Sequence, residues 1–159
     1  MIELRAMTPT EFQDYVAYFV PDYAAEISAN YDVDMGAALA QAQAAIKDDL
    51  AHGVETAGHD LMCITVQDHN AFDVVGYAWC KTSSGNDAVF ISDFYVKPTY
   101  RGRGYARAAL AALDLKYSAD GYETIGLRVA ADNERAQRLY LAAGYKPTGI
   151  NMRKALPPS

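Results

Sequence analysis

The apolar residues of this chain recur with two different periods, and the first of these predicts strands. Alternation of apolar and polar residues predicts strands over 2–6, 61–66, 74–80, 89–96, 124–129 and 150–154. The second and third are separated by a polar turn around Asp68 and Asn70, so we expect them to pair antiparallel. A loop rich in Ser, Gly and Asn is predicted over 81–87, and it leads into the central strand.

The second period, of three to four residues, predicts helices between these strands. The first begins at Thr8-Pro9-Thr10-Glu11, which has a capping residue, a proline and an acid at the spacing of a capping box. Pro21 interrupts this helix, because proline inside a helix removes a hydrogen bond. Helical spacing then predicts further segments over 22–30, 35–52, 106–117 and 133–143.

The central strand changes the face on which its apolar residues lie. Val89 and Ile91 occupy odd positions, whereas Phe94 and Val96 occupy even ones. One extra residue in the strand has this effect, so we expect a β-bulge near 92–94. A bulge turns backbone N–H and C=O groups out of the ladder, where they can hold an extended amide chain.

A turn rich in glycine and arginine follows the central strand and feeds a helix that has no capping side chain. After Pro98 and Tyr100 come Arg101, Gly102, Arg103 and Gly104. The first N–H groups of a helix attract anions, and arginine adds forked donors suited to phosphate. Since strand, helix and strand of this length predict a parallel pair, the turn lies where such sheets bind ligands. We interpret it as a pyrophosphate cradle; the alternative is an ordinary solvated turn.

Two common kinds of phosphate-binding motif are excluded, because the sequence lacks residues that they require. A dinucleotide fingerprint needs a third glycine where the chain has Arg107, and a nucleoside-triphosphate loop needs Gly-Lys-Ser/Thr. The residues present resemble instead the acyl-CoA signature of the GNAT superfamily of N-acetyltransferases, in Arg101, Gly104 and Ala106. A second stretch resembles the same superfamily in Asn133-Glu134-Arg135-Ala136, Leu139-Tyr140 and Gly144-Tyr145. Glu55-Thr56 and His59 resemble small bacterial members whose substrate is unassigned.

The resemblance implies an α/β fold and an acetyl-CoA site without a metal. The expected architecture is one mixed, mostly antiparallel twisted sheet, with a parallel central strand pair splayed at the bulge and helices on both faces. The implied cofactor residues are Phe94, Tyr95, Val96, Arg101, Gly102, Arg103, Gly104, Tyr105, Ala106, Arg107, Asn133 and Ala136. In this reading the pantetheine arm lies along 94–96. Asn133 can equally cap the last helix, with Asp132 as the alternative cap.

Acetyl transfer to an amine needs a polarised thioester, a base for the amine and an acid for the thiolate. The backbone N–H of Val96 is the candidate for polarising the thioester. Tyr140, in the tyrosine position of the superfamily, is the candidate general acid, and its alternative role is packing the helix onto the sheet. For the base, the alternatives are Asp93, His59 or water, and Asp93 can instead fix the bulge.

Several basic side chains are candidates for the phosphates of CoA. Arg103 and Arg107 are the first candidates, because they belong to the glycine-rich turn. The 3′-phosphate can instead be held by Lys97, Arg135 or Arg138, and the sequence does not choose among them.

The net charge of −6 is distributed unevenly along the 159 residues. Residues 1–60 hold eleven acidic and two basic side chains, and residues 61–159 hold nine acidic and twelve basic ones. Opposite fields can guide an anionic cofactor and a cationic acceptor to different mouths of one site, although solvated helix faces also explain the acidic part. One or two tyrosines of the first helices can wall an acceptor pocket: Tyr15, Tyr18, Tyr23 and Tyr31.

Length and composition predict one domain over 1–159, with 1–60 as the acceptor side and 61–154 as the acetyl-CoA side. The chain shows no basic nucleic-acid footprint and no apolar run long enough to span a membrane, so neither partner is expected. A cytoplasmic location is expected, with Cys63 and Cys80 as free buried thiols. Edge strands near the C-terminus make a homodimer possible.

The function implied by the resemblance is acetyl transfer from acetyl-CoA directly to a primary amine. The acidic first sixty residues favour a small cationic acceptor, such as a polyamine or a lysine-like amine. The alternative is a non-catalytic module that binds or senses acyl-CoA.

Overall fold

The computed structural model describes residues 1–82 and 87–158. Five strands, β1 to β5 in chain order, span Ile2–Ala6, His59–Asp68, Ala71–Thr82, Ala88–Val96 and Thr124–Leu127. Four helices, α1 to α4, span Pro9–Tyr31, Met35–Asp49, Tyr105–Ala119 and Glu134–Ala142. Short 3-10 turns lie at Gly53–Glu55 and Pro98–Tyr100. Most of the loop predicted over 81–87 lies outside the described residues.

The strands form one sheet in the order β1-β2-β3-β4-β5. Neighbouring strands are antiparallel up to β4, and β4 pairs with β5 in parallel. The β2–β3 turn passes through His69 and Asn70, both with positive φ. The mixed α/β architecture predicted from the sequence is therefore confirmed, including its parallel pair.

Helices cover both faces of this sheet because successive side chains of a strand point in opposite directions. On β2, Leu61 and Cys63 pack with Tyr15 and Phe19 of α1. Met62, between them, packs in the opposite core. That second core contains Leu110, Leu113 and Tyr117 of α3, which are all buried.

Helix α1 begins as predicted but does not stop at the proline. The Thr8 side chain accepts a hydrogen bond from Glu11 N, and the Glu11 carboxylate accepts one from Thr8 N. The predicted interruption at Pro21 is wrong, because one continuous helix runs to Tyr31. Phe19 before the proline and Ile27 after it are both buried, so tertiary packing outweighs the loss of one hydrogen bond.

Several predicted boundaries and one predicted strand also differ from the structure. Helix α2 ends at Asp49 rather than at residue 52. The next residue, Leu50, is buried in the core. Strand β5 ends at Leu127 rather than at residue 129. The strand predicted over 150–154 is absent from the described residues, which leave Ile150 and Met152 81% and 90% exposed. Alternation alone does not make a strand where no neighbouring surface buries its apolar side.

The bulge predicted in the central strand is confirmed by the β3–β4 register. Trp79 is opposite Asp93, and Cys80 is opposite Ile91, so Ser92 has no partner on β3. The parallel β4–β5 pairing ends at the same level, with Ile91 opposite Leu127. Beyond this point β4 continues to Val96 beside β3 alone, and the two parallel strands splay apart.

Gly76 of β3 is needed for the close approach of the splayed part of β4. A Cβ atom on Gly76 would overlap the carbonyl oxygen of Tyr95 and lie 3.1 Å from Val96 Cα. Both obstacles are backbone atoms, which cannot move like the end of a flexible side chain. Gly126 of β5 differs, because a Cβ atom there would meet no atom within 4 Å.

We expect Gly76→Ala to lower the free energy of unfolding by about 1–3 kcal/mol, because the added methyl group must displace β4. The matched control is Gly126→Ala, which adds the same group to the same sheet in open space and should not destabilise the protein. Urea unfolding can be followed by the fluorescence of Trp79, the one tryptophan, which is 3% exposed. Equal unfolding midpoints for the two variants would contradict the close approach at Gly76.

Candidate active site

A cleft of about 730 Å³ opens where β4 and β5 separate. Its walls come from four parts of the chain: α1, the second half of β4, the turn that leads into α3, and the end of β5 with α4. The bulge therefore determines where the cleft lies, because an unbroken parallel pair would close it.

The structure brings the residues predicted for the site together. Of Asp93, Tyr140 and the implied cofactor residues, Arg103 alone does not line the cleft, and its guanidinium lies over the ring of Tyr100 at 5.7 Å. The predicted residues that do line it are Asp93, Phe94, Tyr95, Val96, Arg101, Gly102, Gly104, Tyr105, Ala106, Arg107, Asn133, Ala136 and Tyr140.

The turn before α3 presents a row of backbone donors to the cleft. Gly102 and Gly104 have φ values of 78° and 81°, which favour glycine. No side chain caps α3, and its first helical hydrogen bond joins Ala108 N to Gly104 O. Among the described residues, no acceptor bonds a backbone N–H between 102 and 107. This arrangement suits an anion such as a diphosphate.

Arg101 holds the end of β4 instead of reaching out as a free cation. Its Nε donates to Val96 O at 2.8 Å, and its guanidinium lies over the Tyr95 ring at 5.4 Å. Lys97 N donates to Val75 O on β3. Because backbone groups alternate between the two edges of a strand, Val96 N–H points to the opposite edge, which borders the cleft.

The other basic candidates for phosphate binding differ in position. Arg107 and Arg135 line the cleft. Arg138 does not line it, and the Lys97 ammonium lies over the ring of Tyr77 at 5.6 Å. Of the basic side chains named as phosphate candidates, Arg107 and Arg135 are therefore the two that line the cleft.

Asn133 lines the cleft and also caps α4. Its Oδ1 accepts a hydrogen bond from Ala136 N at 3.2 Å. The capping role that the sequence left open therefore belongs to Asn133 rather than to Asp132. The Asn133 amide NH₂ group has no hydrogen-bond acceptor among the described residues, so it can donate to a ligand in the cleft.

Asp93 lies deep in the cleft and is held by α1. Its Oδ2 accepts hydrogen bonds from the hydroxyls of Tyr15 at 2.8 Å and Tyr18 at 3.4 Å. Burial raises the pKa of Asp93 to about 7, while the hydrogen bond from Tyr15 opposes that rise. The carboxylate thus bonds to α1 and not to the bulge backbone, and it is poised to exchange a proton near neutral pH.

Tyr140 of α4 lines the same cleft. Burial, and then the charge of Asp93, raise the pKa of Tyr140 to about 12, so its hydroxyl stays protonated at neutral pH. Its ring packs edge-on against Tyr145 at 5.7 Å. The Tyr145 hydroxyl is buried without a hydrogen-bond partner among the described residues.

His59, the other side-chain candidate for the base, does not line the cleft. It begins β2, opposite Lys81 of β3, and its Nδ1 accepts a hydrogen bond from Trp79 Nε1 at 3.0 Å. Burial and the charge of Lys81 lower the pKa of His59. The structure therefore separates His59 from Asp93 and Tyr140.

The α1 side of the cleft is lined by two of the tyrosines suggested for an acceptor pocket, Tyr18 and Tyr23, and by two carboxylates that sequence reasoning did not single out, Asp22 and Glu26. Tyr18, Asp22 and Glu26 follow one another at intervals of four residues on α1, and Tyr23 lies beside them. Burial, and then the charge of Asp22, raise the pKa of Glu26. The sequence contains this four-residue interval, but the break predicted at Pro21 assigned Tyr18 to one helix and Asp22 and Glu26 to another.

Arg128, just after β5, also lines this side and was not anticipated. Its guanidinium donates to the Tyr31 hydroxyl at 3.1 Å, and its positive charge partly opposes the rise in the pKa of Glu26. The α1 side of the cleft thus combines two carboxylates with one guanidinium.

Neither 1–82 nor 87–158 contains a group of three or more His, Cys, Asp or Glu side chains arranged to hold a metal ion. In the same two ranges, every helix is too short or too polar to cross a bilayer.

Known proteins resemble this chain both in sequence and in fold. Residues 24–145 match the sequence profile of the Acetyltransferase (GNAT) family. The uncharacterized N-acetyltransferase YycN of Bacillus subtilis is 35% identical over 158 residues, which cover 98% of this chain and 99% of the relative. YdgE of the same organism, also named an uncharacterized N-acetyltransferase, is 28% identical over 96% of this chain and 97% of its own length.

The structural comparison agrees with these relatives. The crystal structure of YycN superposes with a TM-score of 0.91 at 32% identity, covering 99% of this chain and all of that one. The aminoglycoside acetyltransferase AAC(6')-Iy, in complex with a CoA bisubstrate analogue, shares the fold with a TM-score of 0.57 at 18% identity, covering 98% and 99%. The cleft, both sequence motifs and these relatives agree: the chain belongs to the GNAT family of acetyltransferases.

Proposed function

We propose that this acetyltransferase moves an acetyl group from acetyl-CoA to the primary amine of a small cationic acceptor, a polyamine or a lysine-like amine. The proposal rests on one cleft that joins a donor-lined turn, the Asp93 carboxylate with Tyr140, and the acidic face of α1. Tyr140 and Asp93 in that cleft, with relatives named as N-acetyltransferases, favour an enzyme over a non-catalytic acyl-CoA-binding module.

We assign residues 1–159 to one N-acetyltransferase domain with two sides. Residues 1–60 supply the acceptor side through α1, and residues 61–154 supply the acetyl-CoA side through the glycine turn and α4. The free backbone donors between 102 and 107 suit the diphosphate, and Arg107 and Arg135 are placed for other phosphate oxygens. The two free buried thiols, Cys63 and Cys80, fit a cytoplasmic setting.

The chemistry assigns one step to each polar group of the cleft. Asp93 takes a proton as the amine nitrogen bonds to the acetyl carbon, and the Val96 N–H stabilises the negative charge that develops on the carbonyl oxygen. The bond between carbon and sulfur then breaks, and Tyr140 gives its proton to the departing thiolate. The proton on Asp93 returns to Tyr140 through solvent, so the protein ends unchanged.

The charge of Asp93 affects the acidity of Tyr140. The negative charge of Asp93 raises the pKa of Tyr140, which makes the phenol a weaker acid. Once Asp93 holds the proton of the amine, this effect disappears and Tyr140 becomes a better donor. The first proton transfer thus prepares the second.

Tyr140→Phe should lower kcat by about 10²-fold and leave the affinity for CoA nearly unchanged, because it removes one proton donor and keeps the ring. Release of free CoA thiol measures the rate, and calorimetry measures the affinity. The control is Tyr145→Phe, which removes a neighbouring hydroxyl that has no partner and should keep the activity. Equal rates in the Tyr140 variant and the parent would remove Tyr140 from the mechanism.

The acidic face of α1 is the basis for a cationic acceptor. Four residues of helix span about 6 Å, so Asp22 and Glu26 lie about 6 and 12 Å beyond Tyr18 along α1. An ammonium at either carboxylate would leave the second amine of a diamine free to reach Asp93. Arg128 offers a partner to the carboxylate of a lysine-like acceptor, whereas a polyamine has no group for it.

The double variant Asp22→Asn with Glu26→Gln should raise KM for a diamine about tenfold, since two attracting charges are lost. KM for a neutral amino-acid amide should not change. The control is Asp14→Asn, which removes an exposed charge of α1 outside the cleft. Initial rates over a panel of diamines, lysine derivatives and neutral amides measure the effect. Equal efficiencies for diamines and neutral amides in the parent enzyme would contradict a cationic acceptor.

We also propose that a second copy of this chain covers the β5 edge of the sheet. Among the described residues β5 pairs only with β4, and the following segment exposes three apolar side chains: Ile150, Met152 and Leu156.

Light scattering should give the mass of a dimer for the parent chain. Ile150→Glu with Met152→Glu should give a monomer, because the charges would have to be buried in the contact. Leu115→Glu, at an exposed position of α3, is the control and should remain dimeric. A monomeric parent at micromolar concentration would contradict the dimer.

A further inference from the structure

We propose that Tyr15 and Tyr18 are positioning residues for Asp93: their hydroxyls fix one carboxylate oxygen and keep the group ionised, so that the other oxygen can accept the proton of the amine. The inference rests on the proposed function in assigning that proton to Asp93. Neither tyrosine belongs to the sequence motifs of the acetyl-CoA side, and both come from α1.

The geometry of the two hydrogen bonds divides the carboxylate into two halves. Both hydroxyls donate to Oδ2, at 2.8 Å from Tyr15 and 3.4 Å from Tyr18. Oδ1 has no donor among the described residues, and Asp93 lines the cleft. The bound half therefore anchors the side chain, and the free half keeps its lone pairs available for the proton of an amine.

The rings of the two tyrosines belong to an aromatic cluster with Tyr77 and Tyr95, which holds them in place. Tyr18 stacks on Tyr95 with centroids 3.8 Å apart and planes at 23°. Tyr15 is fully buried and meets Tyr77 edge-on at 5.2 Å. Tyr77 in turn contacts Tyr18 at 6.0 Å. With their rings fixed, the hydroxyls have little freedom to leave the carboxylate.

The electrostatic surroundings explain why Asp93 needs these donors. Burial favours the neutral carboxyl group, and so does the negative charge of nearby acids. Hydrogen bonds from hydroxyls favour the ionised form, and the pKa of each tyrosine lies above its ordinary value, so both remain donors. On β3, the neighbour in register is Trp79, which does not titrate. The titratable groups facing Asp93 come from α1 and α4: Tyr15, Tyr18, Asp22, Glu26 and Tyr140.

The consequence is a change of pH dependence when a donor is removed. A hydrogen bond to a charged group stabilises that form, and its loss should raise the pKa of Asp93 by about one unit for Tyr15→Phe. Tyr18→Phe should raise it less, because its hydrogen bond is longer. At a fixed pH well below the pKa of Asp93, kcat/KM should fall about tenfold for each unit by which a variant raises that pKa. At high pH, kcat/KM of the variant should approach the parent value.

The experiment compares three variants that each lose one hydroxyl from the same cluster: Tyr15→Phe, Tyr18→Phe and Tyr77→Phe. Tyr77 has no hydrogen bond to Asp93, so its variant controls for disturbed packing and should leave the pKa unchanged. If Tyr15→Phe fails to fold, Tyr18→Phe carries the test, because its ring keeps the stack on Tyr95.

Two readouts separate this inference from the proposed function. The first is the titration of the Asp93 carboxyl carbon by NMR in ¹³C-labelled protein, assigned with Asp93→Asn, and it needs no acceptor. The second is kcat/KM against pH. If the carboxyl pKa rises but the dependence of kcat/KM on pH does not shift, Asp93 is not the base. The effect of the tyrosines on the ionisation of Asp93 would still stand. An unchanged carboxyl pKa in both Tyr15→Phe and Tyr18→Phe, or an equal shift in Tyr77→Phe, would overturn the inference.

Discussion

The separation of β4 from β5 is the constraint on which the rest of this structure depends. The bulge at Ser92 takes one residue out of register with β3, and the parallel ladder stops at Ile91 and Leu127. A cleft opens between the strands, and the end of β4 keeps backbone groups free along one edge. Every polar group of the site is arranged around this opening, so a local irregularity of one strand creates the functional region of the whole domain.

The same part of β4 also joins the two sides of the molecule. Asp93 connects to α1 through Tyr15 and Tyr18, while Val96 connects to the glycine turn through the Arg101 side chain. Gly76 lets the β4 backbone sit close against β3 at this point. The groups proposed to act on the acceptor and on acetyl-CoA therefore meet on four consecutive residues, 93–96. Packing, hydrogen bonding and proposed chemistry act on the same segment, which explains its dense aromatic surroundings.

Sequence reasoning performed best where a feature is local in the chain. The capping box at Thr8, the uncapped start of α3, the phase change in β4 and the glycine turn each depend on a few adjacent residues, and all four have the predicted form. It failed where distant packing outweighs a local preference. Pro21 disfavours a helix locally, yet α1 continues because buried residues on both sides hold it. The alternation over 150–154 favours a strand, yet no surface buries its apolar side.

The sequence by itself determined the fold class, the glycine turn before α3 and the candidates Asp93 and Tyr140, because each leaves a short pattern of residue types. Only the tertiary structure decided how those candidates are surrounded. It separated His59 from the cleft, committed Arg101 to Val96, and brought Tyr15 and Tyr18 to a carboxylate 78 and 75 residues away. A side chain's pKa and its hydrogen bonds depend on neighbours in space, and burial is a property of the folded chain rather than of its local sequence.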